Sequence, residues 1–138
     1  MTNKRIIKFR AWDKNQMCYF NPLENWSVDT ETRKLWLNTS NALIYPEELE
    51  KCEIMEFTGL KDKNGKEIYE GDIVRLTSGN SSEDGLMAGV YLVEYFCDGF
   101  KLVYESFGEK NYQYGLGKTP NGNTEIIGNV FENKDLLK

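Results

Sequence analysis

The sequence predicts a mainly β fold: a small β-barrel or sandwich, SH3-like or similar, with an N-terminal β-rich portion and little helix. Three observations carry that prediction. Apolar and polar residues alternate with a period of two in several short runs, as a half-buried strand requires. Clusters of Gly, Asn and Asp separate those runs where hairpins turn. The one helix-start signal, Pro46-Glu47-Glu48-Leu49-Glu50, is too short for a core helix, although proline suits a first turn and acids favour its positive end.

The elements follow in chain order. Arg5-Ile6-Ile7-Lys8-Phe9-Arg10-Ala11-Trp12 alternates, with Ile7, Phe9 and Ala11 on one side and Lys8 and Arg10 on the other. Asp13-Lys14-Asn15-Gln16 is turn-like and Met17-Cys18-Tyr19-Phe20 returns as apolar sequence, which makes a hairpin that Asn21-Pro22 ends. Trp26-Ser27-Val28 and Lys34-Leu35-Trp36-Leu37-Asn38 read as further short strands. Glu53 to Leu60 is strand-like and runs into a turn whose Asn64-Gly65 pair suits positive φ. Glu70-Gly71-Asp72 punctuates the chain before the strand Ile73-Val74-Arg75-Leu76. Ser78 to Gly85 is too polar and small to bury apolar area and reads as a mobile loop. Val90 to Phe96 and Phe100 to Tyr104 flank Cys97-Asp98-Gly99, the clearest hairpin signal in the chain. A last strand, Thr124 to Phe131, precedes Asn133, which is placed to cap a terminal helical turn.

Bulk properties narrow the class. A chain of 138 residues with 40% hydrophobic and 28% charged residues matches one globular domain with its own core. The pattern divides it into an N-terminal portion, residues 1–57, and a C-terminal small barrel, residues 58–138, within that single domain. The basic start is followed by an apolar run that Lys8 and Arg10 interrupt, so no signal peptide is expected, no apolar run spans a bilayer, and a cytoplasmic location follows. Cys18, Cys52 and Cys97 are odd in number and have apolar neighbours, which predicts reduced, mostly buried thiols.

The chemistry of a catalytic site is hard to assemble here. The chain has no histidine, which removes the commonest general base and every Ser-His or Cys-His pair. With three scattered cysteines and no histidine, no structural zinc site is expected. Gly117-Lys118-Thr119 mimics a phosphate-binding loop, but the first glycine of that motif would fall on Tyr112 and Pro120 stands where a helix should start. Asp62-Lys63-Asn64-Gly65 brings its glycine too early for a calcium loop, and Glu67, Glu70 and Asp72 read as a solvated face. No catalytic residue, metal or cofactor is therefore assigned, and a non-enzymatic protein is expected.

Three segments together resemble the YopX-like family of bacteriophage and prophage proteins. They are Thr58-Gly-Leu-Lys-Asp-Lys-Asn-Gly-Lys-Glu-Ile-Tyr-Glu-Gly-Asp-Ile-Val74, the opening Lys8-Phe9-Arg10-Ala11-Trp12-Asp13, and the closing Ile126-Ile127-Gly128-Asn129-Val130-Phe131-Glu132-Asn133. The resemblance implies a phage or prophage origin, a mainly β fold and a location in the host bacterial cytoplasm; it implies no reaction. The physical content of the long segment is structural: Gly59, Gly65 and Gly71 take positive φ cheaply, and Asp72 is placed to bond nearby backbone N–H groups. Lys61, Asp62 and Lys63 form its candidate binding loop.

A second candidate surface is the basic strand, where Lys8 and Arg10 share a face with Trp12, cation beside stacking ring, as sheets that grip single-stranded nucleic acid do. The net charge of −5 weighs against nucleic acid, and the expected role of the charges is to protect a sheet edge from unwanted pairing. Tyr91, Tyr95 and Phe100 raise the aromatic content, and alternation puts most such residues in the core. The favoured function is a protein-interaction or assembly module that binds itself, as a homo-oligomer, or a host factor. The alternative is a nucleic-acid-associated accessory protein using the Lys4 to Arg10 face.

Overall fold

The computed structural model describes residues 6–12, 14–19, 26–29, 34–37, 53–77, 88–97, 99–106, 109–115 and 123–137. The chain is mainly β, and every strand pair whose register is defined is antiparallel. It clusters into two compact units, Met1–Phe57 and Thr58–Lys138. The expected helical start at Pro46, the loop Ser78 to Gly85 and Cys52 lie outside the described residues.

In the first unit β1 (Phe9–Trp12) and β2 (Met17–Tyr19) form the expected hairpin, closed by the pair Trp12 and Met17, with Lys14 at φ 81° in the loop. β3 (Trp26–Asp29) and β4 (Lys34–Leu37) pair with each other. The other side of β1 is taken by the first half of β5 (Glu53–Lys61), with Phe9 opposite Glu56 and Arg10 opposite Met55. β1 is therefore an inner strand, and the expectation that its charges protect an edge is overturned.

The same register corrects the face assignment. Residues directly opposite in an antiparallel pair point to one face, so Arg10 shares its face with Met55, and Met55 and Phe57 are both buried. Arg10 is only 3% exposed. Period-two alternation identified which side chains lie together but assigned the basic side to solvent, because a single strand carries no information about what its neighbours bring to that face.

The second unit begins with the remainder of β5, which pairs with β6 (Glu67–Tyr69). A five-stranded sheet follows, in the order β10-β9-β8-β7-β11, from β7 (Asp72–Leu76), β8 (Gly89–Phe96), β9 (Gly99–Ser106), β10 (Glu109–Gly115) and β11 (Thr124–Asn129). β6 is too short to show alternation, and the polar β10 pairs along β9, so neither was readable as a strand by itself. Ile68, Val74, Leu76, Tyr91, Val93 and Leu102 form the buried cluster, with Leu60, Phe100, Tyr104 and Ile126 packed against it. Each fully buried side chain of this kind contributes about 1.5–3 kcal/mol, and the Tyr91 and Tyr104 rings add an edge-on contact at 6.1 Å.

Two expected turns form, one of them without its expected cap. Gly65 N–H donates to Asp62 C=O and Asp62 N–H to Lys66 C=O, so the loop between β5 and β6 has three residues, Lys63 to Gly65. Gly65 is at φ 81°, the positive φ expected of the Asn64-Gly65 pair, while Asn64 is not in the left-handed region, which is a type I turn followed by a left-handed glycine. After β11 the terminal turn is a 3₁₀ helix, Lys134–Leu137, but the Asn133 side chain does not cap it. Its Oδ1 accepts from the Asn129 N–H instead, at 3.3 Å.

Candidate functional site

The basic-strand candidates are absorbed by their own unit. The Lys8 ammonium lies 5.5 Å from the centre of the Phe57 ring, a cation held on an aromatic face. Phe57 N–H donates to Lys8 C=O at 2.8 Å, which pins that placement. Trp12 is half-buried and Arg10 buried, so the three side chains do not form an open stacking platform.

Within the loop candidate, Lys61 and Lys63 are exposed and Asp62 is not. Asp62 is 6% exposed, and its carboxylate accepts three backbone N–H groups: Asn64 at 2.9 Å and Lys66 at 2.9 Å through Oδ1, and Ile126 at 3.1 Å through Oδ2. Burial alone raises the carboxyl's pKa and is the largest single influence. The donors Ile126, Lys66 and Asn64, with the charge of Lys66, together outweigh it and hold the group below its ordinary value. Lys63 Nζ pairs with Glu125 Oε2 at 3.3 Å. Asp62 is thus removed from the binding surface and becomes the bond between its loop and β11; a carboxylate two residues before an Asn-Gly turn is the local signal for the first two bonds.

The glycines and Asp72 of the same segment take up the structural roles assigned to them. Gly59, Gly65 and Gly71 have φ of 86°, 81° and 85°. Asp72 is buried, which overturns its place on a solvated face with Glu67 and Glu70, and its Oδ2 accepts the Tyr69 N–H at 2.8 Å. The Thr58 hydroxyl donates to Ile68 C=O at 2.7 Å and accepts the Leu60 N–H at 3.2 Å, bridging the bend that Gly59 makes in β5.

The surface that sequence reasoning missed is the end of the β8–β9 hairpin. Phe96 pairs with Gly99, and Tyr95 pairs with Phe100 one step back. Tyr95 is 51% exposed and Phe96 44%, so Tyr95 is an exception to the expectation that most such aromatics lie in the core. Cys97 beside them is exposed as well, where a buried thiol was expected; it and the half-buried Cys18 are both thiols. The Tyr95 and Phe100 rings meet edge-on with centroids 5.3 Å apart, which holds the tyrosine in place. Successive strand residues point to opposite faces, so Tyr95 and Phe96 present apolar surface on both sides of the hairpin end. The signal was available for Phe96 alone: two adjacent aromatics in a strand cannot both face one core, and alternation groups Tyr95 with the buried Tyr91 and Val93.

Among the described residues no cluster of three or more Cys, Asp or Glu is arranged to hold a metal ion, and no helix is long and apolar enough to cross a membrane. A family model described as "YopX protein" matches residues 8–138. Similar solved structures include protein yopX from Bacillus subtilis, 26% identical, with 95% of each chain covered and a TM-score of 0.56. Protein EF1440 from Enterococcus faecalis, 24% identical, covers 98% of this chain and 100% of its own with a TM-score of 0.56, a likeness of fold. No curated protein matches the chain.

Proposed function

The chain belongs to the YopX protein family, and from that premise we propose that it is a non-enzymatic protein-interaction module whose contact surface is the end of the β8–β9 hairpin. The phage or prophage origin and the bacterial cytoplasmic setting that the family resemblance implies are part of this reading. The observation that carries it is the exposure of Tyr95 and Phe96, 51% and 44%, on a hairpin whose inner residues Tyr91, Val93, Leu102 and Val103 are buried. Aromatic side chains bury large area at low entropic cost and are enriched where proteins bind one another. Here they stand on a rigid two-stranded support rather than on a loop. The nucleic-acid alternative has less to work with, because Arg10 is buried and Lys8 is engaged by Phe57.

The test replaces both aromatics. Tyr95→Ser/Phe96→Ser should keep the wild-type circular dichroism spectrum and lose either self-association in light scattering or a host protein that the wild type retains in pull-down. Identical behaviour of the two proteins in both assays removes the hairpin end as the contact surface.

A further inference from the structure

β11 lies at one end of the five-stranded sheet, with β7 on its inner side. A strand in that place presents unpaired N–H and C=O groups on its outer side, to which any extended segment can add. Two of these groups are already taken. Lys63 N–H donates to Thr124 C=O at 2.8 Å, and Ile126 N–H donates to Asp62 Oδ2 at 3.1 Å. One residue flanked by bonds to positions on either side of its opposite number is the rung of a parallel strand pair. Lys63 is opposite Glu125 here, and the side-chain pair at 3.3 Å joins them. The second bond of the rung comes from a carboxylate in place of a main-chain carbonyl. Thr124 and Asp62 are both buried, so this stretch of the edge is covered rather than solvated. Further along β11, the Asn129 N–H is taken by Asn133 Oδ1.

We propose that the 62–66 turn is a built-in edge cap: it occupies the outer edge of β11 and blocks the addition of another strand there, with Asp62 as its latch. This accounts for the second carboxylate oxygen of Asp62 reaching out of a turn whose own N–H groups the first oxygen already takes. Once the cap is lifted, β11 becomes an unpaired sheet edge, and in the purified protein the strand available to add there is that of another copy of this chain. The proposal does not depend on the role of the hairpin end.

The experiment uses the full chain carrying Tyr95→Ser/Phe96→Ser, so that association through the hairpin end does not enter. Asp62→Ala is compared with its parent by residue-resolved amide exchange and by light scattering over a range of concentrations. Ile126 N–H should exchange at least about tenfold faster, and the mass should rise with concentration toward that of a dimer. Lys63→Pro is the second variant: proline suits the second position of this turn but cannot donate to Thr124. It leaves the Asp62–Ile126 bond in place, so it should raise the mass more weakly without releasing Ile126; Asp62→Asn, whose single oxygen is held by the turn N–H groups, decides the latch if Asp62→Ala does not fold. Unchanged protection of Ile126 in the deciding variant overturns the latch. Faster exchange with a constant monomer mass overturns the cap.

Discussion

The side chain of Asn133 lies so close over Gly128 that a Cβ on that glycine would stand 2.5 Å from Oδ1, 2.7 Å from Cγ and 2.8 Å from Cβ of the asparagine. No flexible tip takes up such a contact, because even the root of the Asn133 side chain is too near. The asparagine is held there by the Asn129 N–H, while the Asn129 carboxamide accepts the N–H groups of Phe131 and Glu132, each at 3.0 Å. The run Gly128-Asn129 with Asn133 is therefore one turn-forming unit in which the glycine makes room for the second asparagine.

Gly128→Ala should lower stability by about 1–3 kcal/mol, since the added methyl forces Asn133 aside and costs its hydrogen bond. Adding Asn133→Ala removes the two outer contacts but leaves the one at 2.8 Å, so the double variant should recover only part of any packing loss. Urea denaturation of the two single variants and the double variant measures this as a non-additive cycle.

Asp62 should make stability depend on acid pH. Its folded-state pKa is held below the ordinary value of 3.8, so its contribution is fully present above that value and is lost as pH falls through the folded one. Asp62→Asn should be less stable than wild type at neutral pH, and the gap should close as the solution is acidified. A gap of constant size from neutral to strongly acidic pH would show that the charge of the carboxylate contributes nothing.

Gly71→Val should cost on the order of 1 kcal/mol or more, because a β-branched residue is strained at positive φ. Gly71 sits at φ 85°, its N–H donates to Val93 C=O and its C=O accepts the Val130 N–H, so the backbone cannot relax without losing both bonds. A melting temperature equal to that of wild type would contradict this.

Replacing Arg10 with Ser should destabilise the fold rather than alter binding. The side chain is buried beside Met55 on an inner strand, and the loss of its packed stem leaves a void. Oligonucleotide affinity, measured by fluorescence anisotropy at about physiological salt, should be the same for wild type and for Lys8→Ser. A clear loss of affinity in Lys8→Ser would restore the nucleic-acid reading.

By itself the sequence determined the features that depend on a few neighbouring residues: the strands around apolar alternation, the hairpin pairings β1–β2 and β8–β9, positive φ at Gly59, Gly65 and Gly71, and the Asp72 bond to its own turn. These are set by local sterics and short-range hydrogen bonds, which a linear reading contains. Only the tertiary structure decided that β1 is an inner strand with Arg10 buried, because a strand's position and its covered face depend on which neighbours pair with it. It also decided that Asp62 leaves the surface to reach Ile126, 64 residues away, and that Tyr95 is exposed although it shares a strand face with the buried Tyr91 and Val93. The physical reason is common to all three. Burial and hydrogen-bond pairing are properties of the assembled sheet, and alternation along one strand records only which side chains share a face, not which face meets the core.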